Sequence, residues 1–301
     1  MSPPDRRRRP PAEDDAAVAA FLVSLVDRDA SVNTLEAYAA DLRQLVASVG
    51  SDWPAVGRAD VAVHAARLVA LGRKPSSVAR KVAVARAFFR WLQSSGRIAQ
   101  NPLADLRAPP AAPTPTRMLT RAQVTAFVAA PPPSSPAGGQ LAATLRRDDA
   151  LALLLAATGV RASELVALDV DDVALAAAAV RAGRKGRELP LDRSAAEALA
   201  RYLDDDGRPA LVDRRPPTRA LFVNAHGQRL TRQGAWAILK GRARRAGLPT
   251  WVTTESLRQA FATHLLAERA SIDDVAALLG YAQPTRSTLY RHRRLARALA
   301  S

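Results

Sequence analysis

ATGVRASELVALDVDDV (157–173) holds the interruption around which this chain is organised. Residues 148–168 favour helix, but Thr158-Gly159 breaks the run and a second helix start follows. That restart puts Arg161 where its guanidinium and nearby backbone N–H groups can face an anion. Working outward, RAQVTAFVAA after Thr120 predicts a helix, and PPPSSPAGG (131–139) a surface loop. Downstream, VALAAAAVRA and RELPLD flank Gly183–Gly186, a hairpin pattern whose alanines make weak strands. The remainder to Ser301 has helical patterning, so residues 117–301 read as one unit.

A second unit precedes it, over residues 14–105, and it too reads as helical. Val18, Phe21, Leu22 and Leu25 share one helical face. Leu35, Tyr38, Leu42 and Leu45 form another stripe, and Val78, Val82, Ala85, Phe89 and Leu92 a third that ends near Gly96. Arg80, Arg86 and Arg90 fall off the third stripe, which makes them candidates to face a phosphate backbone. The plainer alternative is a solvated helix face. Residues 106–116 (LRAPPAAPTPT) lack apolar periodicity and read as a semi-extended linker; residues 1–13 read as a disordered basic tail.

Composition narrows the function. Lys and Arg number 44 against 28 Asp and Glu, a formal charge of +16, which calls for a polyanionic partner. No run of about 18 apolar residues suggests a membrane span, and the N-terminus has no apolar core of a signal peptide. Cysteine is absent, which excludes disulfides and thiolate metal sites and fits a reducing cytoplasm. The four histidines are not spaced as metal ligands, so no metal and no cofactor are expected. Only four of the basic residues are lysines (74, 81, 185 and 240), so a lysine at a turn tip attracts notice.

Breaking a phosphodiester without metal requires cations on the nonbridging oxygens, best supplied by bidentate arginines. It also requires a nucleophile that loses a proton and an acid that protonates the leaving oxygen. Arg161, Arg258, Lys185 and Tyr290 are residue types suited to these tasks; a phenol of ordinary pKa near 10 needs a cationic surround to ionise. Spacing alone does not assign them, because an isolated arginine usually lies at a surface and an isolated tyrosine in a core or rim.

Several segments in order resemble the tyrosine recombinase (lambda-integrase) family. Residues 157–173 resemble its first arginine box, and RAGRKGRELPL (181–191) its lysine hairpin. LFVNAHGQRLTRQGAWAILK (221–240) is similar to the segment before the second box, and TESLRQAFATHLL (254–266) to that box. LGYAQPTRSTLYRH (279–292) resembles the last box, with Tyr290 nine residues after Tyr281. SVNTLEAYAADLRQL (31–45) and residues 76–102 look like the core-binding domain of Xer-type members. The resemblance implies a mainly α fold with a small β-sheet or hairpin in the catalytic domain, and two domains closing as a C-shaped clamp. It implies site-specific recombination of double-stranded DNA through a 3′-phosphotyrosyl intermediate at Tyr290. Arg161 and Arg258 would clamp the scissile phosphate, and Lys185 would be the general acid. It further implies a homo- or hetero-tetramer on paired sites, with a second recombinase or an accessory DNA translocase as partner.

The chain departs from the family pattern at the residues that manage protons. Glu255 stands at the usual box-two histidine, Gln259 at the histidine often found after the arginine, and Tyr281 at the usual histidine or tryptophan. A gapless register from Pro190-Leu191 puts Ala182 at the family's lysine; a short gap restores Lys185. Glu255 is expected either to accept the Tyr290 proton or to pair with Arg258 or Arg161. These departures leave alternatives: a slow enzyme that needs a partner protomer, or a catalytically impaired DNA-binding relative that occupies or assembles on recombination sites.

Overall fold

The computed structural model describes residues 15–28, 30, 32–106, 117–131, 139–212, 217–281, 292–293 and 296. Tyr290, the N-terminal tail, nearly all of the 106–116 linker, most of the 131–139 loop and the last five residues lie outside the described residues. The chain divides into two compact units, Met1–Pro115 and Thr116–Ser301.

The first unit consists of α1 (Ala16–Val26), α2 (Val32–Val49), α3 (Arg58–Ala70) and α4 (Pro75–Ser94). Asp15 caps α1 by accepting from the N–H groups of Ala17 and Val18 at 2.9 and 3.0 Å. The apolar stripes meet in one core that includes Phe21, Leu42, Leu45, Phe88, Phe89 and Leu92. Trp53 and Phe88 pack edge to face at 4.8 Å, and Phe21 and Phe88 at 5.3 Å. Each such pair adds roughly 0.5–1.5 kcal/mol to the area buried.

Arg80, one of the three candidates to face a phosphate, is exposed and also ion-paired: both its terminal nitrogens donate to Asp41 on α2, and Lys81 donates to the same carboxylate at 2.6 Å. Asp41 is buried, so two cations are needed to offset its desolvation. Arg86 is half-buried and Arg90 exposed, and neither forms an ion pair among the described residues.

The second unit contains α5 (Arg121–Ala129), α6 (Gly139–Thr158), α7 (Ala162–Ala167), β1 (Val173–Ala174), β2 (Ala179–Ala182), β3 (Arg187–Pro190), α8 (Arg193–Leu203), α9 (Arg208–Val212), α10 (Arg232–Arg245), α11 (Thr254–Ala267) and α12 (Ile272–Leu279). Thr120 and Gln123 form the reciprocal cap that starts α5. The strands make an antiparallel sheet in the order β1-β2-β3, with Val180 opposite Leu189 and Ala182 opposite Arg187. The weak alanine strands hold because Val180, Ala182 and Leu189 are buried against the helices.

Helix α6 is the centre of this unit. Residues 150–155 (ALALLL) are buried all round, and the helix packs against α5, α8, α9, α10 and α11. It stops where the sequence predicts. The Thr158 hydroxyl turns back to the Leu154 carbonyl at 2.6 Å, and Gly159 takes φ +58°. Any side chain at Gly159 would also meet the Phe261 ring, with a Cβ only 2.8 Å away. This close crossing sets the end of α6, just before Arg161, against α11, which carries Arg258.

Candidate active site

Arg161 caps α7, but its surroundings differ from the expected open helix start. The Glu164 carboxylate, one turn on, accepts from the Arg161 backbone N–H at 3.0 Å and from its guanidinium at 2.9 Å. The backbone donor expected to face an anion is therefore already occupied by a carboxylate. What remains available is the guanidinium, about one-third exposed and also donating to the Gly280 carbonyl at 3.2 Å.

Arg258 comes from α11, which begins at a reciprocal cap between Thr253 and Ser256. It is 3% exposed. Its terminal nitrogens donate to the carbonyls of Gly159 at 2.7 Å and Leu279 at 2.6 Å. Those carbonyls end α6 and α12, so one guanidinium pins together three helices and the Gly159 turn. The Tyr281 ring lies 5.3 Å from the Arg258 guanidinium and 5.6 Å from that of Arg161. The ring face thus bridges two like charges. Burial, followed by the charge of Arg161, pulls the Arg258 pKa below its ordinary value; Tyr281 and Glu164 act in the opposite direction. Arginine stays charged under such shifts. The result is a desolvated cation bonded to neutral carbonyls.

Glu164 was not singled out by the sequence reading. The available signal was the Arg161-x-x-Glu164 spacing at a helix start, the pattern of an N-terminal cap. It also receives both terminal nitrogens of Arg187, at 2.8 and 2.7 Å. Burial pushes its carboxyl up, but the Arg187 hydrogen bond, the Arg161 N–H and both guanidinium charges outweigh this and hold it at about 2. Three arginines therefore share a region in which Glu164 is the carboxylate that offsets them, leaving net positive charge.

Arg187 opens β3, and the turn Gly183–Gly186 joins it to β2. Lys185 sits in that turn, exposed. Lys185, Arg184, Ala182, Glu164, Gly280 and Tyr281 border one cleft of about 440 Å³. The structure therefore brings Lys185 and Tyr281 to one cleft, with Glu164 connecting it to Arg161. Ala182, at the gapless lysine position, is buried in β2.

Glu255 does not pair with either arginine. It is exposed in the first turn of α11, where it accepts from Gln259 at 3.2 Å. His264 is half-buried with Arg121 nearby, and its Nε2 has no partner among the described residues. His292 is buried, with Nδ1 3.0 Å from the Thr263 hydroxyl of α11. Tyr290 lies outside the described residues. No group of three metal-ligating side chains occurs among the described residues.

Two family models match this architecture: the phage integrase family over residues 117–297, and the phage integrase N-terminal SAM-like domain over residues 18–96. The chain belongs to the phage integrase family. Within this family it is 36% identical to a protein named tyrosine recombinase XerD from Listeria monocytogenes over 278 residues, covering 89% of this chain and 90% of the relative. It is 38% identical to tyrosine recombinase XerC of Herpetosiphon aurantiacus over 275 residues, 89% of this chain and 87% of the relative. In fold, this integrase-family chain is similar to the Tn1549 transposon integrase solved in complex with circular intermediate DNA. The TM-score is 0.71 at 17% identity, over 91% of this chain and 94% of that one.

Proposed function

We propose that this site-specific tyrosine recombinase cleaves one strand of duplex DNA at a time, with Tyr290 as the nucleophile. The phenol oxygen attacks phosphorus, a P–O bond to Tyr290 forms, and the bond to the 5′ oxygen breaks. Arg161 and Arg258 hold the nonbridging oxygens, and Lys185 gives its proton to the leaving 5′ oxygen. Glu255, one turn before Arg258 on α11, is our choice to accept the phenol proton. Its carboxylate is exposed and engaged only by the neutral Gln259 among the described residues. Tyr281 keeps the two arginines together through its ring face. The reverse attack by a 5′ hydroxyl reseals the strand without a metal or nucleotide cofactor, since the ester bond is retained.

The observation that carries this reading is the buried Arg258, a cation satisfied by neutral carbonyls and placed against Arg161 with net positive charge around both. Such a site costs desolvation energy that a bound phosphate would offset. Double-stranded DNA is the proposed substrate, and a tetramer on two sites, with identical or paired recombinase subunits, the proposed assembly. A DNA translocase is the accessory partner this reading accommodates, and the cytoplasm the compartment. Among the described residues no helix is long and apolar enough to cross a membrane. Arg86 and Arg90 on α4 are proposed to meet DNA phosphates. Arg80 is left out of that set because it is committed to Asp41.

The test uses a duplex selected by binding from a random library, nicked near the bound site so that cleavage is trapped. A protein–DNA adduct on a denaturing gel, lost in Tyr290→Phe, is the expected result. A wild-type protein that binds the duplex and never forms the adduct would favour the impaired DNA-binding alternative.

A further inference from the structure

The hairpin that carries Lys185 needs an anchor, because its tip is exposed and its strands are only four residues long. A flexible ammonium placed by a loose hairpin would be a poor proton donor, since catalytic groups must be held to within a fraction of an ångström. The structure supplies one strong tether directly after the turn. Arg187 donates through Nε to the Leu278 carbonyl at 2.9 Å and through both terminal nitrogens to Glu164. This single side chain therefore ties β3 to α12 and α7 at once. It is 16% exposed, so water competes weakly for those bonds.

The surrounding backbone is shaped to admit that guanidinium. A Cβ on Gly183 would come within 2.8 Å of its Nη1, and one on Gly280 within 2.7 Å. Gly183 begins the Lys185 turn, and the Gly280 carbonyl accepts from Arg161. Arg187 is thus wedged between the lysine turn and the peptide that touches the phosphate arginine. A lysine in its place would keep the charge but lose the planar fork that reaches three acceptors.

We propose that Arg187 is a positioning residue, which fixes the Lys185 turn against the Arg161–Glu164 element so that the ammonium is presented to the leaving oxygen. Arg187 does not touch the reacting atoms; it acts through Lys185. The inference rests on the roles assigned above to Tyr290 and Lys185, and the experiment separates its failure from theirs.

Single-turnover adduct formation is measured on two trapped duplexes that differ in one atom: the bridging 5′ oxygen of the scissile phosphate, or sulfur in its place. With oxygen, the leaving group needs the Lys185 proton. With sulfur, a thiolate departs unprotonated, so a misplaced acid no longer matters. Arg187→Lys is expected to slow the oxygen substrate about tenfold or more and to leave the sulfur substrate within about twofold of wild type. Lys185→Ala is expected to show the same pattern. Adding Arg187→Lys to Lys185→Ala is expected to change nothing further, since both act on one step. Thermal unfolding is followed alongside, and Arg187→Gln replaces Arg187→Lys if the latter does not fold. Equal losses on both substrates, no loss on either, or losses that multiply in the double variant would each overturn the proposal. If Lys185→Ala is indifferent to the leaving atom, the lysine assignment falls and the proposal with it. If wild type forms no adduct with either duplex, it is the Tyr290 reading that fails.

Discussion

Glu164→Gln offers a quantitative check on the arginine network. The carboxyl moves from an ordinary value of 4.5 to about 2 on folding. At about 1.4 kcal/mol per pKa unit, the folded network favours the ionised form by about 3 kcal/mol. The side chain is only 14% exposed, so screening by water trims this modestly. The folded-state pKa is depressed, so this stability is fully present above pH 4.5 and is lost as pH falls towards 2. The glutamine variant has no charge to lose. At pH 7 it is expected to be less stable than wild type by about 2–3 kcal/mol, because two guanidiniums lose their counter-charge. As pH falls from 5 to 3 the gap should narrow, because wild type loses the stability the variant already lacks. Urea unfolding of both full-length proteins in parallel measures this. Curves that stay parallel across that window, or equal stabilities at pH 7, would show that Glu164 is not the electrostatic centre described here.

Four further outcomes are expected. Gly159→Ala should cut adduct formation about tenfold or more, because the new methyl meets Phe261 and shifts the carbonyl that holds Arg258; trapped-duplex kinetics decide it. Glu255→His should keep or raise cleavage in that assay, and a large loss would give Glu255 a role that an imidazole cannot fill. Asp41→Asn should destabilise the N-terminal unit by about 3 kcal/mol, since Arg80 and Lys81 lose their shared buried partner; denaturant titration reads it, and a neutral result would mean that water replaces the carboxylate. Duplex affinity should fall steeply with salt, and Arg90→Ala should reduce the slope by about one phosphate contact; a flat salt response would contradict phosphate binding by this face.

Much of the fold was legible because helices declare themselves through local chemistry. The stripes of α1, α2 and α4, the Thr120 cap and the break at Thr158-Gly159 all follow from neighbours within a few residues, and each is present in the structure. The order of the boxes likewise marked Arg161, Arg258, Lys185 and Tyr290 as candidates; the structure places Lys185 on one cleft with Tyr281, whose ring lies against both arginines. Charged side chains were less legible. Periodicity shows that Arg80 lies off an apolar face, but not that Asp41, 39 residues away, receives it. It shows Glu255 beside Arg258, but not that Gln259 takes the carboxylate.

By itself, the sequence determined a basic, mainly helical, two-unit chain with recombinase boxes in order and departures from the family pattern at 255, 259 and 281. Only the tertiary structure decided how the site is held. It brought Arg258 to the Gly159 carbonyl, laid the Tyr281 ring against two guanidiniums, and joined Arg161 to Arg187 through Glu164. The physical reason is range. Helix formation and capping are settled by contacts between near neighbours in the chain, whereas a buried charge is stabilised by whichever distant carbonyls and ions the packed core delivers to it.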